Sequence, residues 1–309
     1  MSDNKQEYTV LTGIIYQSIS GFYYVWSENQ SYATKPRGNF RHLQMKPLVG
    51  DYVKFELDEE DPQSIGRLIE ILPRQNELKR PNVANVDYAL VVTSLTEPEF
   101  SYNLLDYFLV SVESHQIEPL IILSKYDLLC QQLGNKRAED KLKEIKALYQ
   151  SVGYQVYEID QGSDRLDTLK SAITEGTYVV MGQSGVGKST LLNQLIPTAL
   201  INTAEISDSL NRGKHTTREV TLYRYHDGLL ADTPGFSSVD FDQIQKEDLA
   251  KTFPEIREAG YNCRFRSCMH VNEPHCQVKK EVENGSIASS RYQNYLQILE
   301  KIEQRKPKY

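Results

Sequence analysis

One segment in the second half of the chain combines glycines, a lysine and a hydroxyl at the spacing that binds phosphate. An apolar stretch precedes this segment and a helix-like stretch follows it, which is the context that a phosphate loop requires. Its glycines let backbone N–H groups turn towards phosphate, and the helix N-terminus adds positive charge. We expect Lys188 to reach the β- and γ-phosphates and Ser189 to place its hydroxyl on Mg²⁺. The residues predicted to contact the nucleotide here are Gly182, Gln183, Ser184, Gly185, Val186, Gly187, Lys188, Ser189 and Thr190.

A second segment could complete the magnesium site. Asp232-Thr233-Pro234-Gly235 directly follows a short apolar strand. Asp232 is predicted to hold Mg²⁺ through water, and Gly235 to offer its N–H to the γ-phosphate and so to respond when that phosphate is lost. A plain turn is the alternative, but the position after a phosphate loop favours function.

A third segment lies between the first two. Gly213–Arg218 contains His215 and two threonines. One threonine of a mobile loop is expected to meet both Mg²⁺ and the γ-phosphate. The sequence leaves Thr216 and Thr217 both open, and we favour Thr217. A surface loop without such a role is the alternative.

The segment that could select the base lies upstream of the phosphate loop. GTPases usually bind guanine with Asn-Lys-x-Asp downstream of the phosphate motifs, whereas this chain has Ser124-Lys125-Tyr126-Asp127 after an earlier strand. The Asp127 carboxylate can accept hydrogen bonds from guanine N1–H and the 2-amino group, which adenine lacks, and the stem of Lys125 can lie along the base. Ser124 replaces an amide that normally ties this segment to the phosphate loop. We therefore expect that tie to be lost and the affinity for guanine to be modest.

Four potential metal ligands lie within a short C-terminal stretch. Cys263-x4-Cys268-x-His270-x5-Cys276 supplies three thiols and one imidazole, a set that suits tetrahedral Zn²⁺ with no open position and hence a structural role. His275 is a competing ligand, and buried free thiols with a surface histidine are the alternative. Cys130 is distant in the sequence and is predicted to be structural.

Three zones of composition predict three domains that would position these segments. Residues 1–72 read as about five short strands separated by Gly and Pro, which suits a small β-barrel, with an OB-fold as one candidate. Residues 73–239 begin with a polar, linker-like stretch (73–86) and then alternate strands with helices, which predicts a parallel α/β sheet. Since the base segment precedes the phosphate loop, the order of this nucleotide domain is circularly permuted. Residues 240–309 are mainly helical, contain the cysteine group and end in an amphipathic helix that is predicted to pack.

Composition excludes some classes of protein. The chain has 309 residues, 39% of them hydrophobic and 25% charged, with a net charge of −7. No apolar run approaches the roughly 20 residues that cross a membrane, and the N-terminus does not read as a secretory signal. Four cysteines in a chain of this length do not form a disulfide framework. We predict a cytoplasmic monomer without a membrane partner. Residues 31–54 and 262–309 each carry a local charge of +4, which from charge alone we interpret as ordinary solvated surface.

These motifs together resemble the RsgA family, the circularly permuted bacterial GTPases that assist maturation of the small ribosomal subunit. The resemblance rests on the barrel, the stretch Arg80–Asp87, the permuted motif order, the His-Thr-Thr segment and the cysteine group. It implies an OB barrel, a permuted GTPase domain and a C-terminal zinc domain. It also implies GTP or GDP with Mg²⁺, and the small ribosomal subunit with its rRNA, as partners. The departures from the family are Ser124 and the segment 160–163, which has no recognisable base-binding signature.

The resemblance also implies roles for individual residues. Many GTPases have a Gln after Asp-x-x-Gly that orients the attacking water, but Phe236 stands there, so basal turnover is expected to be slow. His215 is the candidate that replaces it when the ribosome orders its loop, and Lys188 and Thr217 are the other predicted catalytic residues. The alternatives are an ATP-dependent P-loop enzyme and a non-catalytic RNA-binding adaptor. Substitution of Asp127 tests the first alternative, because only a guanine-binding site depends on this carboxylate. The presence of Lys188, Ser189 and Asp232 argues against the second.

Overall fold

The computed structural model describes residues 8–38, 45–58, 64–79, 81–160, 164–197, 220–232 and 244–305. The described residues within Met1–Asp87, Thr174–Val180 and Ser189–Phe236 form one compact unit, and those within Tyr88–Ile173, Met181–Lys188 and Ser237–Tyr309 form a second. The domain boundaries 1–72, 73–239 and 240–309 remain a prediction. Among the helices that the structure describes, none combines the length and apolar character needed to span a membrane.

The described strands, in chain order, are β1 (Tyr8–Ile19), β2 (Phe22–Ser27), β3 (Gln30–Pro36), β4 (Tyr52–Asp58), β5 (Gly66–Ile71), β6 (Glu77–Lys79), β7 (Asn82–Ala84), β8 (Tyr88–Ser94), β9 (Glu118–Ser124), β10 (Gln155–Glu158), β11 (Gly176–Met181), β12 (Thr221–Tyr225) and β13 (Gly228–Asp232). The described α-helices are α1 (Tyr102–Glu113), α2 (Tyr126–Leu133), α3 (Asn135–Ser151), α4 (Arg165–Ala172), α5 (Lys188–Leu195), α6 (Lys246–Leu249), α7 (Pro254–Gly260), α8 (Gln277–Glu283) and α9 (Ser289–Glu303).

The first unit contains a closed barrel. Strand β1 pairs with both β2 and β4, β2 pairs with β3, and β5 closes the circle between β3 and β4. Alternate residues of these strands point inwards, and Ile15, Val25, Val53, Phe55 and Leu68 are fully buried. Five strands closed in this way confirm the predicted barrel and match the OB-like class.

The stretch predicted to be a linker is instead folded against the barrel. Strands β6 and β7 form a hairpin, and Val83 is buried and forms a bridge with Val49. Arg74 donates to both carboxylate oxygens of the buried Asp51, at 2.7 and 2.8 Å. The polar composition misled the prediction because these polar groups are satisfied by one another rather than by water. Arg80, another arginine of this stretch, lies outside the described residues.

The same unit also contains strands from the second half of the chain. Strand β11 leads to the phosphate loop and pairs in parallel with β13, which pairs antiparallel with β12. Strand β12 in turn meets the barrel strand β1 at Gln17 and Thr221.

The second unit is built on a parallel sheet of three strands. Strand β9 lies between β8 and β10 and pairs in parallel with both. Its residues Leu120–Leu123 are buried, as expected when helices cover both faces of a parallel sheet. The carboxyl ends of β8 and β9 lead into the segments after Ser94 and Ser124. The segment predicted to bind the base therefore lies at the carboxyl edge of this sheet.

The C-terminal helices share a core with helix α1 in this second unit. Tyr107 and Val110 of α1 pack with Phe253, Ile256, Tyr295 and Ile298. The amphipathic face predicted for the last helix is therefore a packing face. We refer to residues 244–305 as the cysteine module.

A buried ion network also joins this module to α1. Arg291 of α9 is 1% exposed and donates to the fully buried Asp106 of α1 at 2.5 Å and to Glu255 of α7 at 2.6 and 3.0 Å. Asn294 and Tyr149 complete the hydrogen bonds of Asp106. Burial raises the pKa of Asp106, while the charge of Arg291 and these hydrogen bonds act in the opposite direction.

Replacing Arg291 with methionine should therefore destabilise the second unit strongly. Two carboxylates would stay buried without a counter-charge, at a cost of about 3–5 kcal/mol. Without Arg291 the folded-state pKa of Asp106 rises further above its unfolded value, so the folded variant takes up a proton as the pH falls. The stability deficit, measured by urea unfolding, should then be largest at mildly alkaline pH and shrink at acidic pH.

Arg264→Met is the matched control, because Arg264 is an exposed arginine of the same module whose guanidinium lies 5.5 Å from the Phe265 ring centre. Its effect should stay within about 1 kcal/mol. An Arg291→Met protein as stable as the parent, or with a deficit independent of pH, would contradict the role given to this network.

Candidate nucleotide site and cysteine cluster

The phosphate loop has the left-handed backbone that its glycines predict. Gly182, Gly185 and Gly187 have φ of 141°, 82° and 100°, values that residues with a Cβ rarely adopt. Helix α5 begins directly at Lys188, so its free N–H groups lie where the loop ends. Val186 is buried and anchors the middle of the loop.

Gly182 also lies too close to a neighbouring strand for any side chain to fit. A Cβ built on it would lie 2.1 Å from the carbonyl oxygen of Val92 in β8. The start of the loop therefore touches the backbone of a neighbouring strand, and only glycine fits.

Lys188 is held by the loop that it is predicted to serve. Its ammonium group donates to the carbonyl oxygens of Gly182 at 2.7 Å and Gln183 at 2.8 Å. Burial lowers the pKa of Lys188 to about 8. An anionic phosphate beside the ammonium would favour its charged form and reverse that shift.

Ser124 joins the base segment to the phosphate loop, although the replacement of asparagine by serine predicted that this tie would be lost. Its hydroxyl donates to the carbonyl oxygen of Val186, at 2.7 Å, and lies 3.2 Å from that of Thr93. Ser124 is buried, so the base segment and the phosphate loop are joined by a hydrogen bond shielded from water. The expectation of a lost tie is wrong because the two loops approach closely enough for a short side chain to bridge them.

Ser124→Ala should weaken GTP binding about tenfold, since the Val186 carbonyl would stay buried without its partner, at a cost of about 1–3 kcal/mol. Titration with a fluorescent GTP analogue measures this. Ser94→Ala is the control, because Ser94 is buried at the register position opposite Ser124 and its hydroxyl accepts from Thr96. Equal affinity of the Ser124 variant and the parent would refute the tie.

The remaining base-segment residues lie at the start of α2. Lys125 has a φ of 61° in the N-cap position, and Asp127 lies in the first turn. The ammonium group of Lys125 donates to the carbonyl oxygen of Glu97. Pro98 lies 3.9 Å from a Cβ placed on Gly185. The segment after β8 therefore borders both loops, which the sequence analysis missed although its position after a parallel strand was a signal.

Asp232 ends strand β13 in the first unit and is half-buried. Burial raises the pKa of its carboxyl group, and a divalent cation beside it would favour the ionised form. Ser189 is half-buried in the first turn of α5, and Thr190 is exposed. The other predicted residues of this site, His215, Thr216, Thr217, Gly235 and Phe236, lie outside the described residues, as does the segment 161–163.

The cysteine group converges as its spacing predicts. The ligand atoms of Cys263, Cys268, His270 and Cys276 all lie within 4.8 Å of one another. Cys263 Sγ and Cys276 Sγ are 3.9 Å apart and lie 3.6 and 3.5 Å from His270 Nδ1. Metal–sulfur bonds of about 2.3 Å and metal–nitrogen bonds of about 2.0 Å in a tetrahedron require separations of about 3.8 and 3.5 Å. The four residues thus fit one tetrahedral ion.

The electrostatics of the group also favour a cation. Burial, and then the neighbouring thiols, raise the pKa of Cys268 to about 12, since several thiolates cannot ionise side by side without a positive charge. His275, the competing ligand in the sequence, is exposed and lies outside the group, and Cys130 belongs to α2.

Helix α9 supports the backbone around the cysteine group. Tyr292 donates to the His270 carbonyl oxygen at 2.6 Å, and Tyr295 donates to that of Met269 at 2.8 Å. The Glu273 carboxylate accepts from the backbone N–H groups of Met269 and Val271. His270 is therefore fixed by its neighbours before any metal is considered.

The loop that opens α5, tied by Ser124 to a base segment earlier in the chain, defines a P-loop nucleotide-binding protein with permuted motif order. The comparisons with known proteins agree. The family profile described as RsgA GTPase matches residues 71–242, and the one described as RsgA N-terminal domain matches residues 12–65. The chain belongs to the RsgA GTPase family and is a GTP-hydrolysing enzyme.

Relatives and solved structures match over nearly the whole chain. The "Small ribosomal subunit biogenesis GTPase RsgA" of Enterococcus faecalis is 51% identical over 299 residues, which are 97% of this chain and 98% of that protein. A relative from Listeria monocytogenes, named "Small ribosomal subunit biogenesis GTPase RsgA 2", is 46% identical and covers 97% and 100% of the two chains. The crystal structure of "YloQ, a circularly permuted GTPase" has a TM-score of 0.82 at 38% identity and covers both chains completely. YjeQ from Thermotoga maritima has a TM-score of 0.82 at 31% identity, over 96% of this chain and 100% of that one.

Proposed function

We propose that this enzyme binds GTP with Mg²⁺ at the phosphate loop and the base segment, and that its hydrolysis serves late maturation of the small ribosomal subunit. The hydrogen bond from Ser124 to Val186 is the observation that carries the nucleotide site, because it joins the base segment to the phosphate loop. In this proposal Asp127 selects guanine and Lys188 neutralises the β- and γ-phosphates.

The magnesium site in this proposal is formed by Ser189, Asp232 and Thr217. The hydroxyls and the carboxylate are the oxygen ligands that Mg²⁺ prefers. Together they would hold the ion beside the phosphates, where its charge would offset the negative charge that develops during hydrolysis. The raised pKa of Asp232 supports the proposal, because a carboxyl group that is partly removed from water gains more from a nearby cation than an exposed one does.

Slow basal hydrolysis follows from the residue after the magnesium segment. Phe236 offers no group to orient water, so we assign that task to His215, with Lys188 and Thr217 as the other catalytic residues. Stimulation by the ribosomal subunit would then consist of placing His215 correctly, which converts the slow enzyme into a fast one.

The small ribosomal subunit is the proposed partner because the relatives from Enterococcus and Listeria are named for its biogenesis. One loop of the cysteine module supports binding to its rRNA. Tyr261 is 75% exposed and Phe265 is 43% exposed, and the exposed Arg264 and Arg266 flank Phe265. Exposed aromatic rings stack on unpaired bases and arginines contact phosphate. Cys263 and Cys268 flank the segment with Phe265 and the two arginines, and Tyr261 lies just before it. Because the proposed partner is a ribosomal subunit, we expect the enzyme to act in the cytoplasm, and to act there as a monomer.

Cys263, Cys268, His270 and Cys276 would hold one structural zinc ion. Its role in this proposal is to crosslink the module, since all four tetrahedral positions are taken by protein and none is open to substrate. Zinc rather than a harder cation is favoured by the three sulfur ligands.

The proposal is tested by measuring phosphate release from GTP and from ATP, with and without purified small ribosomal subunits. We expect turnover of GTP only, rising strongly with subunits. Asp127→Asn should shift preference from GTP to xanthosine triphosphate, and His215→Ala should lose the stimulated part while still binding nucleotide. Turnover of ATP would refute the base assignment, and GTP turnover indifferent to subunits would refute the partner.

A further inference from the structure

Strand β1 changes partners at a bulge. Its first part, up to Ile14, pairs with β4 inside the barrel. The register with β2 then shifts between Ile15 and Gln17, which leaves Tyr16 as the extra residue, and Gln17 pairs with Thr221 of β12. A bulge redirects a strand, and here it occurs where β1 stops pairing with β4 and, still paired with β2, also meets β12.

The new pairing continues directly to a predicted magnesium ligand. Thr221 has Gln17 as its register partner on one side and Asp232 on the other. The amide of Gln17 lies 3.4 Å from the Thr221 hydroxyl, to which it donates. Three adjacent strands of the first unit thus link the barrel to Asp232, with one residue from each strand in line.

Side chains reinforce this link. The ring of Trp26 in β2 stacks on Tyr16, with centroids 4.2 Å apart and planes at 12°. The guanidinium of Arg224 in β12 lies 4.9 Å from the Trp26 ring centre and donates to Asn29 at 3.2 Å. We call Gln17, Trp26, Asn29, Thr221 and Arg224 the barrel junction.

We propose that the barrel junction is a positioning element of the nucleotide site, through which a ligand on the barrel shifts β12 and with it Asp232. The inference rests on the proposed function, in which Asp232 binds Mg²⁺ and the small ribosomal subunit is the partner. It assigns to the barrel a task beyond binding: a ligand bound to the barrel would change the position of Asp232 and thereby the rate of hydrolysis.

Coupling of binding affinities is reciprocal. If a ligand on the barrel changes the affinity for nucleotide through the junction, a change of nucleotide must alter the affinity for that ligand by the same factor, and the junction must then differ between the two nucleotide states. Trp26 can report this, because it is the single tryptophan of the chain. Its fluorescence, excited where tyrosine does not absorb, therefore comes from the junction alone.

The first experiment compares Trp26 emission of the full chain with Mg²⁺ and either GDP or a non-hydrolysable GTP analogue. We expect a different intensity or emission maximum in the two states, and a reduced difference in Arg224→Ala. Identical emission in the two saturated states would overturn the proposal. This arm needs no ribosomal subunit, so it distinguishes failure of the junction from failure of the proposed partner.

The second experiment compares subunit-stimulated GTP turnover in matched arginine variants. Arg224→Ala should lower the stimulated rate about two- to fivefold, the loss expected for an exposed cation–π contact, while subunit affinity stays unchanged. Arg224→Lys should restore most of the rate because it keeps the charge over the ring.

Arg67→Ala is the control for the second experiment, since Arg67 lies on β5, which pairs with β3 and β4, and its guanidinium is 5.3 Å from the Tyr8 ring centre. An equal loss in Arg67→Ala would overturn the proposal, and so would a loss of subunit affinity that accounts for the whole effect of Arg224→Ala.

Discussion

Gly182→Ala is expected to abolish GTP binding while leaving the protein folded. The added Cβ would lie 2.1 Å from the Val92 carbonyl oxygen, and backbone cannot yield as a flexible side chain can. The φ of 141° adds strain for any residue with a Cβ. The loop must therefore move away from β8. Because Lys188 donates to the Gly182 carbonyl oxygen, its ammonium would lose part of its anchorage as well.

We expect the affinity for GTP to fall more than 100-fold, equivalent to about 2.7 kcal/mol. The decrease should be seen by titration with a fluorescent analogue and by loss of phosphate release. Unchanged far-ultraviolet circular dichroism would show that the protein remains folded.

Gly153→Ala is the matched control. Gly153 also has a positive φ, 101°, but a Cβ there meets no atom within 4 Å. It lies between α3 and β10, so the substitution carries strain without overlap. It should cost about 1 kcal/mol of stability and leave GTP affinity unchanged. Equal nucleotide affinities of the two alanine variants would show that contact with Val92 does not shape the loop.

The phosphate loop and the cysteine group could be predicted because each is defined by residue types at short, characteristic separations in the sequence. Glycines at positive φ and a lysine at the helix start are properties of consecutive residues. The order of the base segment and the loop was equally visible, so the permuted fold was predicted as well. The barrel strands followed from alternation of apolar and polar residues.

Contacts between distant segments were not accessible from spacing. Ser124 was expected to break the tie to the phosphate loop because serine is shorter than asparagine, whereas the tie depends on how closely Val186 approaches. Arg74 belongs to a stretch that looked like a polar linker, yet it forms an ion pair with the buried Asp51. In both cases the deciding quantity is a distance set by tertiary packing, which a pattern of residue types does not contain.

The ion network around Arg291 attaches the cysteine module to helix α1, which limits how the module can move. Gly235, which is predicted to respond to loss of the γ-phosphate, precedes this module in the sequence, so a shift there could be expected to displace the module by itself. Asp106 of α1, however, is held by Arg291 and Asn294 of α9, and the module shares an apolar core with α1. Separating the two would expose that core and leave a buried charge unpaired. We infer that the module moves together with α1 and the strands that carry the base segment.

Metal removal is the second prediction with a large expected effect. The purified protein should contain one zinc ion per chain, and Cys276→Ser should contain almost none. Cys276 is buried and its Sγ lies within 3.9 Å of Cys263 Sγ and His270 Nδ1, so serine would leave an incomplete tetrahedron. Structural zinc contributes an apparent 10–16 kcal/mol, as an order of magnitude from zinc-finger peptides. Loss of even part of this should unfold the loops from Cys263 to Cys276.

The unfolding should spread from the cysteine group to its neighbours. Tyr292 and Tyr295 donate to the carbonyl oxygens of His270 and Met269, so helix α9 loses two partners when that backbone moves. Limited proteolysis should then cut the C-terminal module of Cys276→Ser, and of the parent treated with a chelator, while the barrel stays resistant. Cys130→Ser should behave as the parent in both assays, because Cys130 lies on α2 outside the group. A zinc-free protein with parental resistance to protease would show that the module folds on its apolar core alone, and the metal would then have no structural role.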